Sequence, residues 1–238
     1  MEIIKDKKTA ILIGATGLVG SFCLRELLLH PAYDRVVVLT RRPIKLTHEN
    51  LVQYQVNFDQ PESYKSLVKG HDLYACLGTT MAKAGSREAF YKVDYTYTYQ
   101  TALMAAQNGV NQILLVSSVG ADSDSLFYYS RVKGDVEAAV KQMPFWAVHI
   151  FQPSVLLGER NENRWGEQLA GRIAKGIDAL TGGLLTKYKP IEADVVAKAM
   201  VNAAQGLKAG IKVYPSHYLQ QLSEEQDVTL LSERFSKP

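Results

Sequence analysis

Gly14-Ala15-Thr16-Gly17-Leu18-Val19-Gly20 places a glycine at every third position between two apolar segments. The preceding run, Thr9–Ile13, reads as a buried strand. The following run, Gly17–Leu29, reads as a helix with Val19, Phe22, Cys23, Leu27 and Leu28 on its apolar side. The first glycine allows a tight turn, the second lets backbone N–H groups approach a pyrophosphate, and the third lets helix and strand pack closely. A helix start also presents unpaired N–H groups and a positive dipole end to phosphates. The spacing therefore predicts a dinucleotide seat at Gly14, Thr16, Gly17, Leu18, Val19 and Gly20, against the plainer alternative of a strand–turn–helix with glycine caps.

The same rhythm continues outward. Strands are expected at Arg35–Thr40, Val52–Phe58, Leu73–Leu77, Gln112–Ser117 and Trp146–Phe151. Helices are expected at Glu62–Val68, Arg87–Asn108 and Tyr128–Gln142. Unbroken apolar strands such as Val36-Val37-Val38-Leu39 indicate burial on both faces, as in a parallel sheet. Strand and helix in alternation imply an α/β, doubly wound Rossmann fold. Beyond Gly158 the pattern changes. Helices are expected at Glu167–Ile177 and Glu192–Ala204, with a loop at Gly182-Gly183, a last strand at Lys212–Tyr214 and a helical tail from Ser223. The reading is one domain over residues 1–238, with 159–238 supplying mostly a small substrate-side lobe, built on the main sheet, and the last elements.

Composition narrows the function classes. A net charge of +3, with basic residues scattered, lacks the long stripe expected of a nucleic-acid binder. The five histidines lie far apart and no CxxC pair exists, which argues against a zinc site. Cys23 and Cys76 sit in apolar stretches and read as buried thiols of a reducing compartment. The N-terminal residues Met1–Lys8 are charged, and Ala10–Ile13 is too short for a membrane span, so a cytoplasmic location without membrane attachment is expected.

The second strand ends in Thr40-Arg41-Arg42, with no acid between Val36 and Arg42. An acid there binds the ribose hydroxyls of NAD, whereas a guanidinium grips a 2′-phosphate. Arg41 and Arg42 thus favour NADP(H) over NAD(H), the alternative being two solvated surface arginines.

Ser117-Ser118 closes the fifth strand, and Tyr129-Ser-Arg-Val-Lys133 follows on a helix. Positions four apart share a helix face, so Tyr129 and Lys133 can point at one cleft on the carboxyl edge of the sheet. An ammonium beside a phenol stabilises its ionised form, which suits the phenol to acid–base work, and a serine hydroxyl can hold a substrate oxygen. The expected catalytic set is Ser118, Tyr129 and Lys133. Ser118 is preferred to Ser117 because it lies nearer the strand exit, and Tyr128 competes with Tyr129 if the helix is rotated. The plainer alternative is a packed aromatic and a solvated lysine.

These stretches, together with Leu77–Phe90, Val93–Asp94, Leu115–Asp122 and Gln152–Arg160, resemble the atypical short-chain dehydrogenase/reductases of the Tat-interacting-protein type and their bacterial relatives. The resemblance spans about Thr9 to Ala204. It implies an NADP(H)-binding Rossmann fold and the Ser118, Tyr129, Lys133 set. It adds an adenine-edge acid at Phe58-Asp59, where a helix N-cap is the competing role for Asp59. It adds a cofactor-lining turn at Leu77, Gly78, Thr79 and Thr80, and puts Pro153, Ser154 and Val155 beside the nicotinamide. Two departures stand out. The group's relay asparagine on the helix after the fourth strand has no clear counterpart, Asp94 and Thr98 being nearest, and Gln152-Pro153 stands where Arg-Pro is common.

The expected activity is hydride transfer at a carbonyl or hydroxyl of a small molecule. The competing expectations are an NADP(H)-sensing regulatory or scaffold protein with a protein partner, and a nucleotide-sugar epimerase- or dehydratase-like enzyme. Tyr91, Tyr95, Tyr97 and Tyr99 on one helix suggest either core packing or a homodimer.

Overall fold

The computed structural model describes residues 7–158, 189–206 and 208–225. The first strand, β1 (Lys8–Ile13), shows why its apolar run is unbroken. Ala10 and Leu12 enter one core, while Ile11 and Ile13 enter a second core on the opposite face of the sheet. Side chains alternate across a strand, so a sheet covered on both faces needs apolar residues at every position.

After β1 come α1 (Leu18–Leu29), β2 (Tyr33–Thr40), β3 (Leu51–Gln55) and two short 3₁₀ turns at Pro61–Ser63 and Lys65–Leu67. Then follow β4 (Asp72–Ala75), α2 (Met81–Ala84), α3 (Arg87–Tyr91), a π-turn over Lys92–Thr96 and α4 (Tyr97–Gln107). The chain continues through β5 (Gln112–Val116), α5 (Tyr128–Lys141), β6 (Ala147–Gln152) and β7 (Leu156–Leu157). It closes with β8 (Ile191–Glu192), α6 (Ala193–Gln205), β9 (Gly210–Pro215) and α7 (Ser216–Glu224). The main sheet runs β3-β2-β1-β4-β5-β6-β9, with every neighbouring pair parallel. Strand order reverses at β1, between β2 and β4. That switch point is where open α/β sheets leave a crevice at their carboxyl ends.

Several expectations shift. The Glu62–Val68 helix is instead the pair of 3₁₀ turns, Pro61–Ser63 and Lys65–Leu67, the first of which starts on Pro61. The single helix over 87–108 is interrupted by the π-turn. The helix expected at Glu167–Ile177 and the Gly182-Gly183 loop lie outside the described residues. The described part of 159–238 is built onto the main sheet. Strand β9 extends the main sheet beside β6, α6 packs on α1, and α7 packs on α6. Val196, Ala197, Met200 and Leu219 are fully buried in the same core as Leu12 and Leu27. Val196, Met200 and Leu219 each contribute about 1.5–3 kcal/mol by leaving water.

On the other helix layer, Tyr91, Tyr95 and Tyr99 stack in sequence, with ring centroids 4.7 and 5.6 Å apart. All three are half-buried. Tyr97, about half a turn away from Tyr95 and Tyr99, is buried in the second core.

Candidate functional site

The glycine-rich turn is held by backbone contact. Gly14 has φ +84°, and a Cβ there would lie 2.3 Å from the Cys76 carbonyl oxygen at the end of β4. A Cβ on Gly20 would lie 2.1 Å from the Gly14 carbonyl oxygen. The Gly17 N–H donates to that same oxygen at 2.9 Å and closes the turn. Gly17 caps α1 with no side-chain bond to the helix amides, and the first turn carries no acid. The leading amides of α1 therefore face the sheet edge without a side-chain cap, which fits a diphosphate. Ala15 and Val19 are buried, so at Val19 only the backbone is available to such a ligand.

At the end of β2, buried Thr40 donates its hydroxyl to the Arg42 carbonyl at 2.9 Å and fixes the corner. Arg41 and Arg42 are exposed, and neither guanidinium is ion-paired among the described residues.

Phe58 is buried between Tyr64 and Tyr97, at centroid distances of 5.5 and 5.4 Å, so its side chain belongs to the core and not to a ligand edge. Asp59 does not cap a helix. Its carboxylate meets Lys92 Nζ at 2.6 Å and accepts from the Tyr97 hydroxyl at 2.8 Å. Those two donors hold its carboxyl below the ordinary aspartate value.

The turn after β4 is organised by Asp94. The Thr79 N–H donates to Asp94 Oδ2 at 2.9 Å, and Asp94 Oδ1 lies 2.7 Å from Lys133 Nζ. Both side chains are almost wholly buried, at 0% and 7% exposure. A Cβ on Gly78 would approach Asp94 Oδ1 at 3.5 Å and Lys133 Nζ at 3.8 Å, so Gly78 covers the ion pair. Thr80 serves a local purpose: its hydroxyl accepts from the Lys83 N–H and caps α2. Asp94 belongs to the π-turn. Such an extra-wide turn re-aims a side chain that a regular helix would point elsewhere.

Burial would pull the Lys133 ammonium down, yet the Asp94 carboxylate and the Tyr129 phenol outweigh it and hold its pKa above the ordinary lysine value. Tyr129 is 40% exposed and rests on Phe90, at a centroid distance of 5.7 Å. Tyr128 is committed elsewhere. Its hydroxyl donates to the Arg87 carbonyl at 2.8 Å, and its ring lies under the Arg87 and Arg131 guanidiniums. Of the two tyrosines, Tyr128 is the one whose hydroxyl is engaged in this way.

The two serines divide in the same way. Ser117 donates to Glu137 Oε1 at 2.6 Å, and the same oxygen accepts from Gln152 Nε2 at 2.9 Å. Gln152 is thereby a structural link between β6 and α5. Among the described residues the Ser118 hydroxyl donates only to the neighbouring Val119 carbonyl, at 3.1 Å. The loop that carries Ser118 is seated on α5 at Gly134, where a Cβ would lie 2.1 Å from the Ser123 nitrogen.

The turn after β6 is stitched at every residue. The Pro153 carbonyl accepts from the Val119 N–H at 2.9 Å, linking it to the serine loop. The Ser154 N–H donates to Ser216 Oγ at 3.1 Å, Ser154 Oγ donates to the Lys189 carbonyl, and the Val155 carbonyl accepts from the Ile191 N–H at 2.9 Å. Gly158 lies against Leu18 at the start of α1, which sets this turn beside the glycine-rich one.

Sequence reasoning set Asp94 aside and overlooked Gly134. The available signal for Asp94 was a lone acid inside Tyr91-Lys-Val-Asp-Tyr-Thr-Tyr, a segment otherwise aromatic and apolar on its inner side.

A family model described as NAD(P)H-binding matches residues 14–147. The chain belongs to this NAD(P)-binding family, in the atypical short-chain dehydrogenase/reductase group. Rat protein HTATIP2 is 38% identical to it over 172 residues, 71% of each chain. The Candida albicans protein named FMP52, mitochondrial, is 34% identical over 212 residues, 86% of this chain and 91% of that one. The structure of Bordetella bronchiseptica WbmH in complex with NAD+ superposes with a TM-score of 0.65 at 13% identity, covering 97% of this chain and 82% of that one. At that identity the likeness speaks for the fold. Among the described residues no helix is long and apolar enough to cross a membrane, and no group of three His, Cys, Asp or Glu side chains is placed to hold a metal.

Proposed function

We propose that this member of the family is an NADP(H)-dependent oxidoreductase that interconverts a carbonyl and an alcohol, with Tyr129 as the acid and base. The observation that carries the reading is the buried Lys133 ammonium, four residues along α5 from Tyr129 and held in place by Asp94. Bound dinucleotide supplies the hydride in reduction and takes it in oxidation. Tyr129 gives its phenolic proton to the carbonyl oxygen as that oxygen gains negative charge, and Lys133 stabilises the phenolate left behind. Ser118, whose hydroxyl among the described residues bonds only the neighbouring Val119 carbonyl, donates to the same oxygen and steadies its charge.

NADP(H) is favoured over NAD(H) because exposed Arg41 and Arg42 follow β2, where an acid would repel the 2′-phosphate. A small carbonyl compound is the expected substrate, and the cytoplasm the expected location. Cys23 and Cys76 support a reducing compartment, since both are buried and free; fractionation that finds the chain in an organelle overturns the cytoplasmic assignment.

The test is single-turnover NADPH oxidation against a panel of aldehydes and ketones. Tyr129→Phe lowers the rate at least about 100-fold and leaves NADPH affinity intact. Tyr128→Phe keeps the rate, because its hydroxyl is already spent on Arg87. A Tyr129→Phe variant as fast as the parent overturns the reading. Tight NADPH binding by the parent with no oxidation of any panel member supports a cofactor-sensing protein instead.

A further inference from the structure

Asp94 sets a carboxylate beside Lys133 where an amide would leave the site with one more positive charge. Asp94 reaches Lys133 from the π-turn, and the pair is sealed from water by Gly78 and the protein interior. Lys133 faces three groups that carry or can gain negative charge: Asp94 across the cleft, and Tyr129 and Glu137 on its own helix. Glu137 is otherwise engaged. Its carboxylate accepts from Ser117 and Gln152 and pairs with Lys141 Nζ at 3.3 Å. Asp94 faces Lys133 and the Thr79 N–H. Asp94 is therefore the counter-ion of Lys133.

We propose that Asp94 is a positioning residue that acts through Lys133: it cancels the ammonium charge beside Tyr129 and so sets the upper pH limit of the proton transfer. The inference rests on Tyr129 and Lys133 being the proton-transfer pair. With Asp94 ionised, the first proton lost from the Tyr129–Lys133 pair leaves a site of net negative charge. With an amide in its place, the same loss leaves the site neutral. Removing the charge therefore makes that proton easier to lose, whichever of the two groups releases it, and protons of so coupled a pair belong to the pair. A charge at this range shifts such a step by about 1–3 pH units in proteins; one unit or more is expected here.

The test compares the parent chain with Asp94→Asn and Asp94→Ser. Asparagine keeps an oxygen for the Thr79 N–H, and serine guards against a fold failure peculiar to asparagine. The first readout is the ring-carbon resonance of Tyr129 in chain labelled with carbon-13 tyrosine, identified by its loss in Tyr129→Phe and titrated without substrate. The second is the alkaline limb of kcat for NADPH-driven reduction. Both midpoints move to lower pH by about one unit in the variants. A residue that merely propped up the Thr79 turn would raise the KM for NADPH and leave both midpoints in place; that result overturns the proposal. If the parent reduces no carbonyl, the oxidoreductase reading fails on its own, and the resonance titration still decides the role of Asp94.

Discussion

Gly14 and Cys76 touch backbone to backbone: the glycine turn leans on the carbonyl that ends β4, with room for a hydrogen and no carbon. A Cβ at Gly14 would meet Cys76 O at 2.3 Å while φ sits at +84°, so an alanine there incurs both a steric clash and a left-handed backbone. Gly14→Ala is expected to lower unfolding stability by about 2–4 kcal/mol and to abolish NADPH binding. Urea unfolding with calorimetric titration checks this; a stable variant that still binds contradicts it.

On the proposed reading, the corner after β2 selects the coenzyme. The Thr40–Arg42 bond fixes that corner, and both arginines are exposed. Arg41→Ala and Arg42→Ala are each expected to weaken NADPH binding roughly tenfold, about 1.4 kcal/mol, with NADH unaffected. Equal losses for the two coenzymes would show that the arginines do not read the 2′-phosphate.

Gly134 is buried inside α5, and the serine loop lies directly on it. Gly134→Ala would raise intrinsic helix propensity, yet its methyl would press on the Asp122–Ser123 backbone at about 2.1–2.2 Å. The expected outcome is a loss of about 1–3 kcal/mol in stability, together with slower turnover as Ser118 is displaced. A more stable and equally active variant would mean the loop gives way without consequence.

His149 makes stability depend on acid. It is fully buried in β6, and its Nδ1 meets the Tyr214 hydroxyl at 2.9 Å. Burial, with Lys208 and Lys212 nearby, pulls its pKa from 6.5 to about 4. Between those values the unfolded chain binds a proton that the folded chain refuses. Stability is therefore full above pH 6.5 and falls as pH drops toward 4, by up to about 3 kcal/mol. The urea midpoint followed from pH 7 to pH 4.5 should slope accordingly, and His149→Asn should remove that slope.

Much of this was legible from residue order because it depends on near neighbours. The glycine spacing, the unbroken apolar strands and the four-residue interval from Tyr129 to Lys133 are local patterns, and local geometry forces their consequences: a tight turn, a sheet buried on both faces, one shared helix face. Contacts between distant segments carry no such local mark. Asp94 lies 39 residues before Lys133, and a regular helix would not aim it there; the π-turn does. Tyr128 and Tyr129 are chemically equal until Arg87 captures one of them, and Ser117 and Ser118 until Glu137 captures the other pair's first member. Which of two adjacent side chains stays free is decided by what the folded chain packs against it. A pattern within one segment can announce a seat for phosphate, but a buried charge finds its partner only once the sheet has brought the two segments together.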